Sequence, residues 1–140
     1  MKPMQDKIFL DTNIVIYAFS EDEAQKQSIA FGLLDGEYNN ALISKQVINE
    51  LANILLKKFK LSSNQVENAI LELDTIVNIV DFDLSTQIKA LHVKDKYNLQ
   101  FYDSLIIATA LENRCTILYS EDMHNGMLIE NRLKIINPFK

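Results

Sequence analysis

Short apolar runs alternate with longer amphipathic segments along the whole chain, and this alternation constrains the fold more than any other feature. Lys7-Ile8-Phe9-Leu10 is an apolar run that stops at Asp11 and reads as a buried strand. Asn13 to Phe19 follows as a short helix. Ser20-Glu21-Asp22-Glu23 matches a capping box, a hydroxyl with a glutamate three residues on, and predicts a helix running to about Gly36. Ala41-Leu42-Ile43 is a second strand. Ser44 then caps a helix that carries Val47, Ile48, Leu51, Ile54 and Leu55 on one face. Ser62-Ser63-Asn64-Gln65 is another capping box, before a helix with Val66, Ala69, Ile70 and Leu73 facing inward. The β-branched run Ile76-Val77-Asn78-Ile79-Val80 is a third strand. Leu84, Ile88 and Leu91 mark the next helix at helical spacing. Ser104 to Leu111 is apolar nearly all round and predicts a central, buried helix. Thr116-Ile117-Leu118-Tyr119 is a fourth strand and Leu133 to Ile136 a fifth. Strands alternating with helices imply an α/β fold: a three-layer α/β/α sandwich around a central, mostly parallel sheet of four to five strands.

No repeat, low-complexity tract or Pro/Gly-rich linker divides the chain, and both prolines, Pro3 and Pro138, lie near its ends. With 140 residues the expectation is a single domain over 1–140. Met1-Lys2-Pro3-Met4-Gln5-Asp6 has no apolar stretch before a cleavage site, and no apolar run is long enough for a membrane span, so a cytoplasmic protein without membrane contact is expected. The single cysteine, Cys115, excludes an internal disulfide and a multi-cysteine zinc site. Three glycines, Gly32, Gly36 and Gly126, cannot make a Walker A loop or a G-x-G-x-x-G fingerprint.

In parallel sheets the ligand site lies outside the carboxyl ends of the strands. Asp11 immediately follows the first strand and Asp122 follows the fourth, so both project at that edge. Glu50 lies about two turns into the helix leaving the second strand, at the margin of its apolar face. Asp103 sits in the first turn of the most apolar helix, which carries it to the same edge if that helix packs centrally. Each acid also has a plain structural reading: Asp11 and Asp103 as helix caps, Glu50 as a solvated helix residue, Asp122 as a turn residue. Taken singly, those readings lead; their joint placement favours a shared site. Converging carboxylates suit Mg²⁺ or Mn²⁺, hard cations that prefer oxygen ligands and act on phosphate-bearing substrates. No histidine or cysteine cluster competes for zinc. The net charge of −5 argues against a nucleic-acid partner on its face. Four acids drawn into one metal site, however, would leave 15 of 19 against 14 basic residues, nearly balanced.

These acids and their neighbours are where the sequence resembles a known family, the PIN-domain ribonucleases, and among them the VapC-type toxins of toxin–antitoxin pairs. The matches are Phe9-Leu10-Asp11-Thr12-Asn13, Ser44 to Glu50-Leu51, Leu99-Gln100-Phe101-Tyr102-Asp103-Ser104-Leu105-Ile106 and Leu118-Tyr119-Ser120-Glu121-Asp122-Met123. The closing Ile135-Ile136-Asn137-Pro138-Phe139 also resembles the group's final strand. The resemblance spans Lys7 to Phe139; Asp-Thr-Asn alone is a weak signal, whereas four motifs in order are a strong one. It implies that Asp11, Glu50, Asp103 and Asp122 form an acidic quartet around one or two Mg²⁺ or Mn²⁺ ions. It implies that Asn13 and Ser120 support the site through hydrogen bonds, with Glu121 commonly acidic but of less defined role. The implied reaction is endonucleolytic hydrolysis of single-stranded or looped RNA by a metal-activated water, leaving 5′-phosphate and 3′-hydroxyl ends. The implied partners are an RNA substrate, a cognate antitoxin and a second copy of the chain. Two alternatives stand beside this reading: a non-catalytic binding or regulatory domain of the same fold, and an RNA-processing or DNA nuclease without a toxin role.

The remaining polar features divide between function and structure. Lys57, Lys58 and Lys60 read as phosphate contacts or as cations complementing a helix C-terminus. Lys89, His92 and Lys96 fall opposite Leu84, Ile88 and Leu91, as an RNA-facing stripe or a solvated face. Tyr102 reads as a stacking platform for an unpaired base or as a partly buried cover of the helix start. His124, two residues beyond Asp122, reads as a substrate-positioning group or, more simply, as a surface loop residue, and Cys115 as a small core residue. The only arginines are Arg114 and Arg132, so lysine and metal must carry the phosphate grip, and modest, salt-sensitive RNA affinity is expected. Ile14 to Phe19 offers an apolar stretch for a subunit interface.

Overall fold

A computed structural model describes residues 6–36 and 40–140. The other residues of the expected 1–140 domain, Pro3 among them, lie outside the described residues. The chain runs β1 (Ile8–Leu10), α1 (Thr12–Tyr17), α2 (Ala24–Leu34), β2 (Ala41–Ser44), α3 (Lys45–Lys57), α4 (Ser63–Ile76) and β3 (Asn78–Val80). It continues with α5 (Leu84–Tyr97), α6 (Phe101–Glu112), β4 (Ile117–Tyr119), β5 (Leu128–Ile129) and β6 (Leu133–Ile136). Among the described residues, six strands form one sheet in the order β3-β2-β1-β4-β6-β5. All neighbours are parallel except β5 and β6. The expected four to five strands thus become six: β5 has two residues, too few to show a period, and pairs through Leu128 and Ile129 with Lys134 and Leu133.

The order of the strands sets the layers. From β1 the chain crosses through α1 and α2 to β2, then through α3 and α4 to β3, stepping outward each time on one side of β1. From β3 it crosses back through α5 and α6 to β4, on the other side of β1. Parallel crossovers are right-handed, so a reversal of direction puts α5 and α6 on the opposite face from α1 to α4. The result is the three-layer sandwich. Phe9, Leu10, Ile43 and Leu118 of the sheet are fully buried, as are Leu51 and Leu55 of α3 and Ile107 of α6. Each such side chain contributes roughly 1.5–3 kcal/mol relative to exposure. Residues 104–111 of α6 are buried without a break, as its composition predicts.

Helix starts follow the sequence signals at Ser44 and Ser62 but not at Ser20. The Ser44 hydroxyl accepts from Val47 N at 3.4 Å, and Ser62 with Gln65 completes the expected capping box. Asp83 and Thr86 form another, ahead of α5. The Ser20 box does not form. The backbone N–H groups of Phe19 and Ser20 donate to Ile16 and Tyr17 carbonyls, closing the final turn of α1, so Ser20 cannot begin the next helix. α2 starts at Ala24 behind Glu23, which makes no side-chain cap bond.

A second correction concerns α5. Leu84, Ile88 and Leu91 lie on the solvent side, 72%, 48% and 47% exposed. The buried face is Thr86, Ala90 and Val93, also at helical spacing. Small Ala90 meets Ala108 and Leu105 of α6 in a compact cluster, which lets the two helices approach closely. The third strand begins at Asn78 because Ile76 still belongs to α4. Of the apolar stretch Ile14 to Phe19, Ile14 and Val15 are fully buried in the core, while Ile16, Tyr17 and Phe19 are partly exposed.

Candidate active site

The strand order reverses at β1 and β4, and their carboxyl ends lie side by side. Such a switch point opens a crevice at the edge of an α/β sheet. Asp11 leaves β1 there, and Ser120, Glu121 and Asp122 leave β4. Asp11 N donates to the Tyr119 carbonyl at 3.0 Å, extending the pairing one residue beyond the strand. The Asp11 side chain is therefore aligned by the sheet itself, and it is only 7% exposed. One carboxylate oxygen accepts from Thr12 N at 2.7 Å and the other from Ser120 Oγ at 2.8 Å. Asp11 also caps α1, as its structural reading expects. Burial pushes its pKa up from 3.8 to about 6, against the pull of the Ser120 and Thr12 hydrogen bonds. The negative charges of Asp103 and Glu50 add to the rise.

Glu50 is held at both oxygens. Thr12 Oγ1 donates to one at 3.1 Å, and Gln46 Nε2 donates to the other at 2.8 Å. Gln46 sits one turn before Glu50 on α3 and also donates to the Tyr102 carbonyl at 3.2 Å, tying α3 to the start of α6. Asp103 lies in the first turn of α6, behind Gln100, which occupies the cap position. It is half-buried, and its carboxylate has no hydrogen-bond donor among the described residues. Burial raises its pKa, and the charges of Asp122 and Glu50 raise it further. Asp122 is exposed and accepts from Asn13 Nδ2 at 2.8 Å. Ser120, fully buried, accepts from Met123 N at 3.2 Å while donating to Asp11, which fixes the turn before Asp122.

The four expected acids therefore form one electrostatically connected set: Asp11 feels Asp103 and Glu50, and Asp103 feels Asp122 and Glu50. They do not close tightly on a point. Among the described residues, no three acidic, histidine or cysteine side chains are arranged to hold an ion directly. The donor set nonetheless fits a hard divalent cation that keeps several waters and takes few carboxylates. It is all oxygen and negative, and the buried Asn13 Oδ1 beside Asp122 has no hydrogen-bond partner.

Glu121 stands apart from that set. Tyr17 Oη donates to one of its oxygens at 2.6 Å and Lys26 Nζ to the other at 2.6 Å. Burial pushes the Glu121 carboxyl up, but these two hydrogen bonds outweigh it and hold the pKa below the ordinary value. Lys26 Nζ also lies 4.7 Å from the Tyr17 ring centre and 5.3 Å from that of Phe139. Glu121 thus anchors the Asp122 loop to α2. A groove of about 810 Å³ opens beside it, lined by Asn13, Tyr17, Lys58, Glu121 and Asp122 among others. Of the secondary candidates, Lys58 faces that groove, while Lys57 and Lys60 are exposed near the end of α3. Lys96 pairs with Glu130 at 3.2 Å, Lys89 is half-buried, and His92 and His124 are exposed. Cys115 is buried, and burial pushes its thiol up to about 11, as a core residue requires. Thr12, Gln46, Tyr17 and Lys26 are the site residues that sequence reasoning missed; only Gln46, one turn before Glu50, carried a readable signal.

The PIN domain family matches residues 8–124. No curated protein matches the sequence. Among solved structures, a toxin–antitoxin complex from Klebsiella pneumoniae is similar at 23% identity and TM-score 0.66, covering 94% of this chain and 97% of that one. VapC20 of Mycobacterium tuberculosis, described as a sarcin–ricin-loop cleaving toxin, matches at 19% identity and TM-score 0.64, covering 82% and 89%. VapBC2 of Rickettsia felis, bound to a DNA fragment from its promoter, matches at 20% identity and TM-score 0.65, covering 93% and 98%. At these identities the likeness to solved structures is one of fold.

Proposed function

We propose, from the premise that this chain belongs to the PIN domain family, that it is a Mg²⁺- or Mn²⁺-dependent endoribonuclease acting as the toxin of a toxin–antitoxin pair. What carries the reading is the convergence of Asp11, Glu50, Asp103 and Asp122, from four separate segments, on the β1/β4 edge, where burial and the charges of their neighbours raise the pKa of Asp11 and of Asp103. Burying like charges together is costly, and a divalent cation is the simplest remedy. The toxin role and a cognate antitoxin are drawn from the similar structures, described as a toxin–antitoxin complex, a toxin and VapBC2; a second copy of the chain and a cytoplasmic setting are drawn from the family resemblance alone. Among the described residues, no helix is long and apolar enough to cross a membrane.

A bound Mg²⁺ or Mn²⁺, one ion or two, supplies positive charge to the phosphodiester and lowers the pKa of water at the site. Asp11, Asp103 and Asp122 hold it, directly or through water; Asp103 has its lone pairs free for the task. Ser120 and Asn13 fix the orientation of Asp11 and Asp122 through their hydrogen bonds. Glu50, restrained by Thr12 and Gln46, orients the attacking water and takes its proton. The water oxygen bonds to phosphorus, the bond from phosphorus to the 3′-oxygen breaks, the leaving oxygen takes a proton from solvent water, and the products carry 5′-phosphate and 3′-hydroxyl. The test is cleavage of end-labelled single-stranded RNA by the purified protein in Mn²⁺, Mg²⁺ or EDTA, with Asp103→Ala as control. Metal-dependent cutting lost in the variant is expected. Cutting that survives in Asp103→Ala, with contaminating nuclease excluded, refutes the assignment. Should wild type leave the RNA uncut, Mn²⁺ titration calorimetry decides: binding lost in Asp11→Asn keeps the nuclease reading, and no binding favours a non-catalytic domain.

A further inference from the structure

On the Glu50 side of the acids, away from the larger groove, lies a second recess of about 420 Å³. Gln46, Asn49, Glu50, Asn53 and Tyr102 line it. Its chemistry differs from that of the metal-facing edge. Glu50 is its one charged residue; three side chains are amides and one is an aromatic ring. Tyr102 is 68% exposed, yet its backbone is fixed by the Gln46 bond and its ring meets Phe101 edge-to-face at 5.5 Å. A large, positioned, solvent-facing aromatic is a platform with an open face. Asn49 and Asn53 are one turn apart on α3, point to one side, and make no hydrogen bond among the described residues. Gln46, only 6% exposed, has a buried carbonyl oxygen without a partner.

Free amides offer donors and acceptors together, the complement of a base edge, whereas a phosphate would call for lysine or arginine. An apolar side chain seated here would leave these amides unpaired, and the open Tyr102 ring beside them matches the flat face of a base, so a base is the occupant that uses both features. Glu50 belongs both to this recess and to the acid set, so a group bound here sits beside the phosphate held at the acids. We propose that this recess is a nucleobase subsite: an unpaired base flanking the scissile phosphate stacks on Tyr102, and Asn49 and Asn53 read its edge. The proposal rests on the nuclease reading above.

The chain contains no tryptophan, so Tyr102→Trp places a single fluorophore at the platform. Binding of fluorescein-labelled hexamers of oligo(U), oligo(A) and oligo(C) RNA is measured by anisotropy with all four acids intact and Ca²⁺ in place of Mg²⁺, which fills an oxygen-ligand site while the RNA stays uncut. Tyr102→Ala is expected to weaken the best hexamer about 5- to 150-fold, the range for one stacked base. Tyr102→Trp should keep binding, with its emission quenched to saturation by the same hexamer. Replacing Asn49 and Asn53 by alanine should change the order of preference among the three hexamers. Far-UV circular dichroism should not change in any variant, because all three side chains are exposed. Equal affinity in Tyr102→Ala, or no quenching in Tyr102→Trp, overturns the subsite, as does failure of the Tyr102-intact chain to bind any hexamer. Cleavage by the chain with all four acids intact is scored separately: metal-dependent cutting beside any of those results leaves the nuclease reading standing.

Discussion

Asp11→Asn is expected to stabilise the metal-free protein at neutral pH while destroying its site. In the fold the Asp11 pKa rises from 3.8 to about 6, roughly 2 units, and each unit is worth about 1.4 kcal/mol. The ionised carboxylate therefore destabilises the metal-free fold by about 3 kcal/mol. The sign follows from proton counting. Between about pH 4 and 6 the folded state holds more protons than the unfolded chain, so wild-type stability falls as pH rises through that window. Above it both states are ionised and the cost is complete; below pH 4 both are protonated and it vanishes. Asparagine does not titrate, keeps an acceptor for Thr12 N, and leaves Asp103 and Glu50 with one fewer negative neighbour. Urea unfolding in EDTA at steps from pH 4 to 8 measures the difference directly. The gap between Asp11→Asn and wild type should move in the variant's favour by about 3 kcal/mol across the series. Mn²⁺ at a hundred times its dissociation constant should then stabilise wild type by about 2.7 kcal/mol and leave the variant unmoved. Parallel stability curves for the two proteins would refute the argument that Asp11 is held as a strained anion.

Three further substitutions probe the frame around the site. Lys58→Ala should weaken single-stranded RNA binding and reduce the slope of log affinity against log salt by about 0.7, as for one lost phosphate contact, in filter-binding titrations. Lys26→Met removes the partner of Glu121, so NMR titration should show the Glu121 pKa rising toward the ordinary range, with slower RNA cleavage as the Asp122 loop loosens. On α5, Ala90→Leu should cost about 1–3 kcal/mol by overpacking against Ala108, whereas Leu91→Ala at the exposed stripe should stay within about 0.5 kcal/mol. Urea midpoints compare the last pair, and a reversed order would contradict the assignment of the buried face.

The difference between what was legible and what was not follows the range of the interaction. Ser44, Ser62 and Gln65 act within one turn of their own helix, so their caps can be read from spacing. Asp11, Asp103 and Asp122 were legible because each sits at a strand end or helix start, and parallel topology sends those to one edge. Ser20 failed because its N–H was already engaged by the preceding helix, a choice between two local structures that one motif cannot make. The α5 stripe failed for a related reason. Leucine and isoleucine outweigh Thr86, Ala90 and Val93 in any hydrophobic pattern, but helix α6 needs small residues opposite Ala108. Lys26 and Glu121 are 95 residues apart, and nothing in either neighbourhood announces the other.

The acidic net charge, which argued against RNA, is resolved by where the charges lie. Lys26, Lys45, Lys94 and Lys96 are each matched by an acid within 4 Å, so they contribute little free positive field. The acids of the site are the opposite case: Asp11 and Asp103 face like charges and are shielded from water. Without a cation such an edge repels a phosphodiester, and with one it attracts it. On the proposed function, binding of RNA at the edge and binding of metal are a single linked event, so RNA affinity should rise with metal concentration rather than fall as it does with monovalent salt. A strongly basic groove would hold RNA at any metal level. If the proposed nuclease reading holds, the sparse lysines here, with Lys58 set beside the acids, make occupancy of the acid site the condition for grip as well as for chemistry.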